Sequence, residues 1–122
     1  MLDKILNYIA AFIANTTTTT TLTPEVGDGS IFVMQFGKVV LITGVINTTI
    51  AYTHGGYLVT GLPRPKVQNA MVTMLDSNSG WTLASPNSYL AYSGTTGGAL
   101  RVYGNHEEKN RSLRFSFTYI AA

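Results

Sequence analysis

The sequence predicts an all-β fold: an antiparallel β-sandwich preceded by one short N-terminal helix. Three observations predict it. From Val26 onward no helical period of apolar residues survives, and short β-rich runs alternate with Gly, Asn, Ser and Pro. The last run alternates strictly. Leu113, Phe115, Phe117 and Tyr119 are separated by Arg114, Ser116 and Thr118, the period-2 pattern of a half-buried strand. The one stretch with a helical period lies before residue 15.

That stretch, Met1 to Ala14, places Leu2, Ile5, Ile9 and Phe12 at steps of three and four, with Leu6 and Ile13 widening the stripe. So short a helix is marginal alone in water, so the stripe needs a partner. A short parallel coiled coil or a docked helix supplies one, and isoleucine at successive core positions favours three strands over two. An ordinary amphipathic core helix and a signal peptide are the other readings. Against the signal stand Asp3, Asn7 and Tyr8 near the start, and Phe12 where a cleavage site wants a small residue. Asn15 and the run Thr16 to Thr21 follow. β-branched threonine disfavours helix and favours extended chain, so residues 15–25 are expected to be an extended linker. The expected organisation is therefore a helix over 1–14, a Thr-rich linker over 15–25 and a β-sandwich head over 26–122.

Within the head, Ile31 to Phe36 and Val39 to Ile46 read as strands joined by a turn at Gly37-Lys38. The second is apolar on both faces, with Gly44 marking a bulge or a close-packing site. Gly55-Gly56 turns the chain into Tyr57 to Leu62, where Pro63 and Pro65 forbid a central strand. Val67 to Asp76, Trp81 to Ala84, Tyr89 to Ser93, Ala99 to Tyr103 and the alternating C-terminal run complete about eight strands, a number and spacing that point to a jelly-roll-like sandwich.

Composition narrows the function. At 122 residues the chain is one domain's worth of protein. Only 11% of residues are charged, against roughly 25% in an ordinary domain, and 45% are hydrophobic, which excludes intrinsic disorder. The polar cover is mostly neutral, so the surface is rich in hydroxyl groups, partly hidden in an oligomer, or both. A net charge of +2 without Lys/Arg clusters argues against nucleic-acid binding. No apolar run reaches the roughly 18 residues of a spanning helix, so no membrane insertion is expected. The absence of cysteine excludes disulfides and thiolate sites, and the two histidines leave few ligands for a metal. No cofactor and no metal site is expected.

Three segments, in order, resemble the receptor-binding tips of phage tail fibres and baseplates. Phe36-Gly37-Lys38-Val39-Val40-Leu41-Ile42-Thr43-Gly44 resembles their Gly-Lys-Val-Val strand pair. Gly61-Leu62-Pro63-Arg64-Pro65 is similar to a shortened form of their proline-flanked segment, and Leu113 to Ala121 resembles their closing strand. The resemblance covers roughly residues 29 to 122. It implies a homotrimeric head at the virion's tail tip, made in the bacterial cytoplasm, that recognises a bacterial cell-surface saccharide. Other phage tail proteins would be further partners, through the N-terminal helix.

No catalytic residues are expected. His106 beside Glu107 and Glu108 lies in the most polar stretch of the head and reads as a solvated loop. Asp76 with Glu107 or Glu108 would give a glycan-processing enzyme its two carboxylates, but nothing in the spacing demands it. No nucleophile-elbow, zinc-protease or phosphate-loop motif occurs. Binding fits better, because a sugar's apolar face stacks on aromatic rings while polar side chains take its hydroxyls. One candidate patch holds Trp81, Tyr89 and Tyr92 with Asp76 and Asn78; a second holds Tyr103, His106 and Arg111; a third surrounds Tyr52, His54 and Tyr57. The bland alternative makes Trp81 a core anchor and the tyrosines caps on the sandwich edge. A trimeric structural tip without a ligand is the other alternative.

Overall fold

A computed structural model describes residues 1–49, 55–76, 82–83, 87–103 and 111–122, with residues 10–16, 82, 83 and 87 described by their backbone alone. Helix α1 spans Leu2–Thr16. Among the described residues, ten strands follow: β1 Thr17–Leu22, β2 Gly27–Phe36, β3 Val39–Thr48, β4 Tyr57–Pro63, β5 Met71–Val72, β6 Leu75–Asp76, β7 Thr82–Leu83, β8 Asn87–Ser93, β9 Gly97–Tyr103 and β10 Ser112–Ile120. They form two antiparallel sheets, one ordered β1-β2-β3-β10-β6-β7 and the other β4-β9-β8-β5.

The threonine run is extended, as its β-branching dictates, and it is also paired. Thr17 to Leu22 lie in register against Phe36 to Ile31 and make β1 the edge of the larger sheet. Threonine suits that edge, because its methyl packs on the pleat while its hydroxyl meets water. No linker separates helix from sheet: Thr16 ends α1, and Thr17 is already extended and paired.

The β2–β3 hairpin turns at Gly37-Lys38, with Gly37 at φ 58°, a conformation that favours glycine. β3 then pairs without a slip to β2 on one side and β10 on the other. Gly44 is therefore a close-packing site and not a bulge. A Cβ there would lie 2.8 Å from Ile31 Cδ1 and 2.8 Å from Phe115 Cζ.

One expected strand divides. Within Val67 to Asp76, Met71–Val72 pair with β8, whereas Leu75–Asp76 pair with β10 in the opposite sheet. The chain crosses between the sheets at Thr73-Met74, and buried Met74 plugs the crossing. Pro63 does end a strand, and that strand, β4, is an edge.

Both sheets contribute to one core. Ile31, Val33, Val40, Ile42, Ile46, Leu113 and Phe115 face Leu58, Val59, Leu62, Leu90, Leu100 and Val102 across it. The buried polar side chains are paired. Ser88 Oγ donates to Val72 O at 2.9 Å, and Thr48 Oγ1 accepts the Arg111 N–H at 2.9 Å. No helix among the described residues is long and apolar enough to cross a membrane.

Candidate functional site

The outer face of the four-stranded sheet gathers aromatic side chains. In β-pairing, directly opposed residues share a face. Met71 opposes Tyr89, Tyr89 opposes Arg101, and Arg101 opposes Tyr57, so one row runs β5, β8, β9, β4 across the sheet. Tyr103, two residues beyond Arg101 on β9, lies on the same face. Tyr57, Met71 and Tyr103 are exposed, while Tyr89 and Arg101 are half-buried.

Local chemistry builds this row. Register shifts between Tyr57 and Val59 and between Thr60 and Leu62 break the β4–β9 ladder. The first lets both Leu58 and Val59 enter the buried interior while Tyr57 stays outside. Asn69 has φ 69°, a left-handed conformation that asparagine tolerates. It brings the chain alongside β8, where Asn69 N donates to Leu90 O and Leu90 N to Ala70 O, and delivers Met71 opposite Tyr89. Asn69, Met71, Tyr89 and Tyr103 line an open concavity of about 330 Å³.

Arg101 is held in place. Its Nε donates to Gly55 O at 2.8 Å, and its guanidinium lies 4.8 Å from the centre of the Tyr57 ring. Such cation–π contacts are worth about 0.5–1 kcal/mol at exposed sites, enough to orient the planar fork. No carboxylate among the described residues lies within ion-pair distance of Arg101. The face thus offers three aromatic bodies with polar tips, one oriented cation and an amide. That combination can stack on the apolar face of a ring and hydrogen-bond to hydroxyl groups around it.

The expected site residues divide. Tyr89 and Tyr103 come together here from separate candidate patches, and Tyr57 joins them from the third. Tyr92 sits at the other parity of β8, beneath the Arg64 guanidinium at 3.7 Å, and Arg64 Nη1 also donates to Gly94 O at 3.1 Å. Asp76 and Arg111 lie together on the larger sheet. Arg111 Nη1 donates to Asp76 Oδ2 at 2.9 Å, and the buried carboxylate holds the start of β10 to β6. Asn78, Trp81 and His106 lie outside the described residues, as do Tyr52 and His54. Sequence reasoning missed Met71, Asn69 and Arg101. Arg101 was readable in principle: it shares the period-2 parity of Tyr103 in a strand that the sequence marks.

A second hollow of about 260 Å³ lies beside Thr18, Thr20, Gln35 and Gly61 to Pro63. It carries no aromatic or charged side chain and offers little to a specific ligand. Among the described residues no three His, Cys, Asp or Glu side chains gather. Compared with known proteins, the chain matches no family model, and no curated protein or solved structure matches it significantly.

Proposed function

We propose that this chain is a receptor-binding head of the phage or prophage type, carried at a virion's tail tip, that recognises a bacterial cell-surface saccharide without catalysis. The saccharide reading is carried by the row Met71, Tyr89, Arg101, Tyr57 with Tyr103 beside it. An open, shallow, aromatic and largely uncharged face suits a flexible, hydroxyl-rich ligand better than it suits a reaction, which needs enclosure and a constellation of acid and base. The phage attribution draws on the three ordered sequence segments. Among the described strands, β3 and β4, β5 and β6, β7 and β8, and β9 and β10 are consecutive pairs that lie in opposite sheets, which supports reading the sandwich as jelly-roll-like. The assembly is a homotrimer in this reading, supported by the open apolar stripe of α1, and three weak sites on one rigid head then act together through multivalency.

The test is a panel of bacterial surface polysaccharides probed with the full chain. Tyr89→Ala and Tyr103→Ala each weaken binding about tenfold, the equivalent of about 1.4 kcal/mol, with the far-UV spectrum unchanged. Binding that ignores both substitutions contradicts the site. The structural-tip alternative has one observation in its favour, the apolar outer face of the larger sheet; its signature is a folded trimer that binds no saccharide on the panel.

A further inference from the structure

Two apolar surfaces of this chain stand open, and they are complementary. The first is the outer face of the larger sheet. Phe32, Met34, Phe36, Val39, Leu41 and Ile120 point away from the core, each between 36% and 48% exposed. They adjoin one another: Phe36 opposes Val39, Val39 opposes Ile120, and Met34 opposes Leu41. The second is the stripe of α1, where Leu2, Ile5, Leu6 and Ile9 are between 48% and 65% exposed.

The helix cannot cover its own sheet. Thr17 is both the cap of α1 and the first paired residue of β1, opposite Phe36. With no residue between helix and strand, folding α1 back would need a chain reversal that unpairs the start of β1. The helix instead leaves the sheet at the row Thr17, Phe36, Val39, Ile120, the apolar end of the face.

We propose that α1 of one copy of this chain docks, through Leu2, Ile5, Leu6 and Ile9, on the outer face of the six-stranded sheet of a second copy. The dimensions agree. The docking residues Leu2 to Ile9 span about 11 Å of helix, within the roughly 15 Å that four neighbouring strands, β1 to β3 and β10, cover. A head-to-tail exchange of this kind closes into a ring, three-fold in the trimer proposed above. It uses no residue of the saccharide face, which stays outward on the opposite sheet.

The chain has no cysteine, so introduced thiols report contacts without background. Full-length Ile5→Cys and Met34→Cys chains, co-expressed, purified and treated with a short bis-maleimide, yield mainly the mixed pair by intact mass. Met34→Glu, at an exposed position, leaves the far-UV spectrum unchanged and lowers the solution mass to that of one chain. A population dominated by Ile5–Ile5 position pairs, as in a helix bundle, overturns the exchange while leaving oligomerisation standing. Dominance of pairs between Met34 positions overturns it in favour of sheet-on-sheet packing. A monomeric wild-type chain overturns both the exchange and the trimer.

Discussion

Tyr119 joins the two sheets through one hydrogen bond, its phenol donating to Pro63 O at 2.7 Å. Burial pushes that phenol well above the usual tyrosine range. An unfolded tyrosine loses its proton near pH 10, and the folded one holds its proton to higher pH. The stability tied to Tyr119 is therefore fully present below about pH 10 and drains away as the pH rises towards the folded value. Melting temperature measured through the alkaline range should fall above about pH 10, and Tyr119→Phe should flatten that fall. At neutral pH the same substitution should cost about 1 kcal/mol, the usual worth of one hydrogen bond. The sequence showed Tyr119 as an inward residue of an alternating strand but could not show its acceptor, which lies 56 positions away. Asp76 repeats the lesson. The sequence placed it in a candidate sugar-binding patch, and only the fold brings Arg111 to 2.9 Å from it. Pairing matters there because a buried charge left alone costs several kcal/mol.

Strands reveal themselves in proportion to their regularity. β2, β3 and β10 are long and alternate or run apolar, and the sequence marks each of them. Gly44 within β3 was ambiguous between bulge and close packing, and the unbroken register to both neighbours decides it. Gly44→Ala should accordingly destabilise the fold by about 1–3 kcal/mol in denaturant titration, because the new methyl meets Ile31 and Phe115 in the core. An unchanged midpoint would mean that those side chains move aside freely. Two elements resisted reading. The threonine run carries the same propensity whether it tethers or pairs, and only its partner strand distinguishes the two. Residues 67 to 76 look like one strand because apolar residues recur through them, yet the chain changes sheets at Thr73-Met74, a crossing that local pattern does not encode.

At the scale of the whole molecule, the sandwich presents two dissimilar faces. One carries exposed Phe, Met, Leu and Ile and suits burial against another copy; the other carries Tyr57, Tyr89, Arg101 and Tyr103 and suits a polar ligand. The low charge of the chain is consistent with both proposals: a buried interface tolerates few charges, and an aromatic face with one oriented cation, Arg101, can stack on a sugar. Light scattering on the full chain should give three times the 13.2 kDa chain mass. A single-chain mass would remove the trimer. The face proposed for a saccharide was only partly legible, because its tyrosines come from three separate strands and converge through pairing. The most direct test of the central claim is a backbone-amide NMR titration of the full chain with the bacterial surface polysaccharide that binds best. The predicted result is a contiguous set of shifts at Tyr57, Asn69, Met71, Tyr89, Arg101 and Tyr103. Saturating binding that leaves those amides unmoved and shifts residues elsewhere would contradict it.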